Sequence, residues 1–109
     1  MNLFPRTGWR RCWLICMRTP SRTTQFKKDY KRESGGRHRH VLDDELRAVL
    51  ELLLTDTVLP PQYRDHALTG SWAGFRDCHL RPDLVLIYSK PDAHTLALVR
   101  LGSHSELSL

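Results

Sequence analysis

Residues Phe75 to Leu101 constrain the fold most, because they divide into three short apolar-rich runs held apart by turn-forming residues. Phe75–Arg81, Leu84–Ser89 and Thr95–Leu101 read as strands. Arg81-Pro82-Asp83 makes a tight turn between the first two, and Lys90-Pro91-Asp92-Ala93 supplies Pro-Asp turn chemistry between the last two. Upstream, "VLDDELRAVLELLLTD" sets Leu42, Leu46, Val49, Leu50 and Leu53 at helical spacing, with acidic residues in the first turn where the helix dipole favours them. Pro60 and Pro61 cannot continue that helix, so Val58–His66 reads as a loop. "MRTPSRTTQFKKDYKRE" begins as an extended Thr/Ser-rich piece and turns helical near Thr23–Thr24. Phe26 and Tyr30 then share one face, Lys27, Lys28, Lys31 and Arg32 fill the rest, and Ser34–Gly36 stop the helix. The expected fold is α+β, a small domain with two N-terminal helices packed on an antiparallel sheet.

The length of 109 residues suits one domain, and a chain of this size buries roughly 60–70% of its unfolded surface without needing staples. Residues 1–16, "MNLFPRTGWRRCWLIC", show neither helical nor strand periodicity. They are expected to lie outside the domain, as a leader or the product of an upstream start, with the domain at 17–109. Three cysteines, Cys12, Cys16 and Cys78, form neither a disulfide framework nor a zinc-ligand spacing, which fits a reducing cytoplasm. "CWLIC" is too short for a signal segment and far too short to span a bilayer, so no membrane is expected; a degenerate signal is the alternative.

Charge is unevenly divided. Residues 1–40 hold eleven Lys/Arg against Asp29 and Glu33, whereas residues 41–109 hold six against ten Asp/Glu. A positive half of this density points to an anionic partner, nucleic acid first; a merely solvated basic helix is the alternative.

The polar residues carry a second signal. Asp77 and His79 share a strand face roughly 6–7 Å apart, and a simple surface pair between them is one reading. Arg100 interrupts the apolar run "LALVRLG", where a charge needs a partner or a job; a core pair with Asp83 or Asp77 is the structural possibility. Cutting RNA without a metal needs one group to take the 2′-hydroxyl proton, another to protonate the leaving 5′-oxygen, and a cation on the phosphorane. Histidine suits either proton role and arginine's fork suits phosphate oxygens. His66, His79, Asp83, Arg100 and His104 would suffice if the sheet gathers them. There is no Gly-rich phosphate loop and no metal carboxylate cluster, so no cofactor and no metal are expected.

"FKKDYKR", "LPPQYRDHALTGSWAGFRDCHLRPDLVLIY" and "VRLGSHSEL" together resemble the YafQ branch of the RelE-type toxins of bacterial type II toxin–antitoxin pairs, over Met17–Leu109. The resemblance implies a RelE-like fold and a ribosome-dependent endoribonuclease, an mRNA interferase that cuts translated mRNA in the cytoplasm. It also implies a small antitoxin that binds the toxin and carries the complex to DNA. It makes His104 the proton donor, Arg100 the phosphate stabiliser, and Asp83 with His79 the general-base side, with His66 completing the set. Lys27, Lys28, Lys31, Arg32 and Arg37 would face ribosomal RNA or the antitoxin. Two departures from the family stand out: Leu84 stands where relatives have Trp, and Ser108 and Leu109 stand where they have an aromatic residue, removing surfaces that would stack on bases. A non-catalytic ribosome- or RNA-binding module, or an antitoxin-dependent transcription cofactor, are the rival readings; neither has a use for placed histidines.

Overall fold

A computed structural model of the chain describes residues 18–107; the expected leader lies outside the described residues. Strand β1 (Thr19–Arg22) leads directly into helix α1 (Thr24–Ser34), and helix α2 (Leu42–Leu54) follows. A 3-10 turn (Pro61–Tyr63), the two-residue strand β2 (His66–Ala67) and a second 3-10 turn (Gly70–Trp72) precede the meander of β3 (Arg76–Arg81), β4 (Leu84–Asp92) and β5 (Thr95–Gly102). The sheet order is β1-β5-β4-β3-β2.

The expected layer pair is present, with one correction. The sheet is mixed, because β1 runs parallel to β5, and only the remaining pairs are antiparallel. The Thr/Ser-rich piece read as merely extended is therefore an edge strand. The backbone N–H groups of Thr19 and Thr23 point into the ladder, to the His94 and Leu98 carbonyls. Pro20 falls at the alternate position, where a missing N–H faces the open edge and costs nothing. The Val58–His66 loop likewise ends in β2, whose pairing with β3 is too short to leave a periodic signature.

Thr23 caps α1 by accepting from the Phe26 N–H at 2.9 Å, and its hydroxyl donates to the Val99 carbonyl at 2.8 Å. The same side chain thus starts the helix and ties it to β5. In α2, Leu42, Leu46, Val49, Leu50, Leu53 and Leu54 are buried, and Asp43, Asp44 and Glu45 occupy the first turn. Both helices cover one sheet face, enclosing Phe26, Cys78, Leu80, Leu84, Leu86, Tyr88, Leu96, Leu98 and Leu101. A smaller cluster forms on the other face, where Leu68, Trp72, Phe75 and Leu107 pack around Val85 and Ile87.

Beyond the end of β1, the edge of β5 is covered by side chains of α1 rather than by another strand. Asp29, 0% exposed, accepts from the Leu101 N–H at 3.1 Å, and Arg32 donates to the Leu101 carbonyl at 3.0 Å. An exposed strand edge invites pairing with another chain, and this arrangement removes one. Gly102 permits it: a Cβ there would stand 2.9 Å from the Arg32 guanidinium.

Candidate active site

Strand alternation builds the site. Cys78 and Leu80 point under the helices, so Asp77 and His79 take the opposite face, in register with Ile87 and Val85. The segment from β2 to Trp72 folds over that face, leaving Asp77 only 1% exposed. β2 sets His66 directly across from Asp77. His66 Nδ1 stands 2.9 Å from Asp77 Oδ1 and 2.8 Å from the Arg64 carbonyl oxygen. The ring hydrogen serves the carbonyl, so Asp77 Oδ1 has charge attraction but no aligned donor among the described residues. His104, just past β5, completes the group: its ring centre lies 4.9 Å from that of His79, which lies 6.5 Å from that of His66.

Two clefts open on this group. One, of about 450 Å³, is lined by His66, Asp77, His104 and Trp72. The other, of about 320 Å³, holds His79 between Arg64, Arg81 and Glu45. Burial pushes the Asp77 carboxyl above the usual range, opposed by the attraction of His66, His79 and His104. Burial pushes His79 below the usual histidine value; Asp77 opposes this, while His104, Arg64 and His66 add to it. A ring depressed in this way is largely neutral at pH 7 and ready to accept a proton.

His66, His79 and His104 are therefore brought together, and the buried acid among them is Asp77. The reading of Asp77 as the surface partner of His79 is corrected: cross-strand neighbours sit closer than residues two apart on one strand, so His66 reaches it first. The alternation Asp77-Cys78-His79 was the available signal, but the covering loop that buries Asp77 was not legible.

The other expected site residues are placed elsewhere. Asp83, in the turn between β3 and β4, is ion-paired with Arg37 and with His38 Nε2 at 3.0 Å, in a separate cleft lined also by Glu33 and Ser103. Arg100 is not paired with Asp83 or Asp77. Its Nε donates to Asp29 Oδ2 at 2.7 Å and a terminal nitrogen lies 3.4 Å from Oδ1, an ion pair between β5 and α1. Burial opposes ionisation of Asp29, but hydrogen bonds from Arg100, Leu101 and Gln25 outweigh it and lower its pKa. Arg32 joins Asp29, Glu33 and Glu106, all at 3.1 Å. Glu106 in turn accepts from the Ser103 hydroxyl at 3.1 Å, fixing the loop that carries His104. Lys27, Lys28 and Lys31 are exposed on α1. Leu84 is fully buried in the core, so this position does not present a surface for stacking on bases; Ser108 and Leu109 lie outside the described residues.

Among the described residues no group of three or more His, Cys, Asp or Glu side chains is arranged to hold a metal ion, and no helix is long and apolar enough to cross a membrane. Residues 18–109 match a family model described as the bacterial toxin of type II toxin-antitoxin system, YafQ. The mRNA interferase toxin YafQ of Escherichia coli K12 is 40% identical over 84 residues, covering 76% of this chain and 87% of the relative. The E. coli DinJ-YafQ complex contains a chain 37% identical with a TM-score of 0.70, covering 83% of this chain and 97% of its own. A metal-bound toxin from Helicobacter pylori is 44% identical with a TM-score of 0.69, covering 84% and 99%. With the family model matching from Arg18 to the last residue, and these relatives spanned over most of their length, the chain belongs to the YafQ family of type II toxin–antitoxin toxins.

Proposed function

We propose that this toxin is an endoribonuclease, an mRNA interferase that cuts the translated message on the ribosome by acid–base catalysis without a metal. The observation that supports this most is the buried carboxylate of Asp77 among three histidines at the mouth of two clefts. Neutral His79 takes the proton from a 2′-hydroxyl, the 2′-oxygen attacks the adjacent phosphorus, and the bond to the 5′-oxygen breaks as His104 protonates it. The products are a 2′,3′-cyclic phosphate and a free 5′-hydroxyl. Asp77 supplies the negative charge that keeps a proton available within the set, and His66 packs against it. The base side falls to His79 with Asp77 rather than to Asp83, whose carboxylate is taken by Arg37 and His38. Arg100 holds Asp29, and through it the end of β5 from which His104 projects.

Dependence on the ribosome follows from positioning, which is a large part of such catalysis. The two clefts are small, about 320 and 450 Å³, and the exposed Lys27, Lys28 and Lys31 lie on α1, a face suited to ribosomal RNA or to an acidic antitoxin segment. The antitoxin partner is one like DinJ, which is found with YafQ in the E. coli complex, and the toxin reaches DNA only when bound to its antitoxin. The test adds purified toxin to programmed ribosomes and to naked RNA and maps fragment ends. Cuts ending in cyclic phosphate on ribosomes alone are expected. Ribosome binding without cuts would overturn the enzymatic reading in favour of a binding module, and efficient cutting of naked RNA would overturn ribosome dependence.

A further inference from the structure

We infer that Arg64 is the cation that meets the scissile phosphate, an inference that rests on the ribonuclease reading above. The other arginines near the histidines are already neutralised. Arg76 holds Asp65 through two nitrogens at 3.2 and 3.3 Å, Arg81 lies 3.5 Å from Glu45, and Arg100 holds Asp29. Arg64 lines the cleft of His79, its charge acts on that ring, and its guanidinium has no carboxylate partner among the described residues.

The backbone at Arg64 makes the same point independently. Its φ of 49° and ψ of 42° lie in the left-handed region, which costs any residue with a Cβ and is cheap only for glycine and, less so, asparagine. Such strain persists where the surroundings over-determine it. Here Tyr63 is buried on one side and its N–H donates to the Pro60 carbonyl. On the other, Asp65 accepts from the Tyr88 hydroxyl at 2.5 Å and from Arg76. The two anchors hold Arg64 so that its carbonyl meets the His66 ring while its side chain lies beside His79.

A cation placed against His79 with no carboxylate of its own opposes protonation of that ring, and the arrangement is balanced when an anion enters. A phosphodiester between His79 and His104 is that anion, and a guanidinium fork matches its two non-bridging oxygens. Charge growing on those oxygens in the phosphorane strengthens the contact where it lowers the barrier.

The experiment is single-turnover cleavage by the full-length toxin on programmed ribosomes, with a melting curve and a histidine NMR titration for each variant. Arg64→Asn, which suits the left-handed backbone, should melt no lower than wild type while its rate falls about 10²–10³-fold. Arg64→Lys keeps the charge without the fork and should recover only part of the rate. Without the cation the His79 midpoint should move up, set then by Asp77, His104 and His66 together with Arg81 and Glu45 across the cleft. A wild type that cuts nothing overturns the ribonuclease reading and this inference with it. A wild type that cuts, with Arg64→Asn as fast or with a His79 midpoint that does not move, overturns this inference alone. If Arg64→Asn melts lower, Arg64→Lys decides, since a purely structural cation would keep the full rate as lysine.

Discussion

Replacing Asp29 by Asn tests whether Arg100 is held by the core. The carboxylate is 0% exposed and accepts from Arg100, Arg32, Gln25 and the Leu101 N–H. Asparagine keeps the shape but removes the charge and turns one acceptor into a donor, facing either the Arg100 Nε and Leu101 N–H together at the Oδ2 position or Arg32 and Gln25 at the Oδ1 position. Removing one partner of a buried ion pair costs about 3–5 kcal/mol. Arg100 and Arg32 retain 23% and 42% side-chain exposure and can swing toward water, which favours the lower end. The fully buried Leu101 cannot, so the amide oxygen stays on its N–H and on the Arg100 Nε, and the amide nitrogen faces Arg32 and Gln25. The expected loss is therefore about 3 kcal/mol, the lower end of that range. For a domain of this size that lowers the melting temperature by roughly 12–24 °C. Because the folded pKa of Asp29 is depressed, its contribution is full above the unfolded carboxylate range and lost as pH falls through the folded value. The gap between variant and wild type should therefore be widest near neutral pH and narrow below about pH 4. Thermal melts of both proteins between pH 3 and 7, in steps of about one unit, measure this. A loss under about 1 kcal/mol, or a gap that ignores pH, would refute the argument and free Arg100 for the phosphate.

Three further outcomes follow from the site and the core. The single-turnover rate should rise with pH as His79 loses its proton, with that limb below the usual histidine value of about 6.5 because burial depresses the ring; a limb above it, read from a pH–rate profile on ribosomes, would remove His79 as base. Asp77→Asn should abolish cleavage yet melt at or above the wild-type temperature at pH 7: a raised folded pKa means that stability is lost as pH rises from the unfolded toward the folded value, and the amide removes that cost. Leu84→Trp should lower stability by about 1–3 kcal/mol in denaturant melts and leave codon preference unchanged, since the added ring enters a filled core rather than the cleft.

Local pattern determined much of this protein. The turn at Pro82-Asp83, the apolar stripe from Leu42 to Leu54, the helix start near Thr23–Thr24 and the alternation through Asp77, Cys78 and His79 each express an interaction between residues a few positions apart, and each reads directly from the chain. The turn expected at Lys90–Ala93 falls later, at Ala93–His94, because β4 runs on to Asp92. The same residues carried the family resemblance, and with it the three histidines that the sheet brings together. Only tertiary structure decided the rest, because the deciding contacts join residues far apart in sequence. Thr19–Arg22 becomes a strand by pairing in parallel with a segment beginning at Thr95, and nothing within four residues encodes a partner so distant. Arg100 finds Asp29 across 71 positions, although its cross-strand partner is Ile87 on the sheet face away from the helices. Asp77 is buried by a loop whose cover depends on Trp72 and Leu107 packing over Val85 and Ile87. Whether a carboxylate is solvated, paired or held unpaired beside histidines depends on what covers it and what reaches it first, and both are properties of the folded chain.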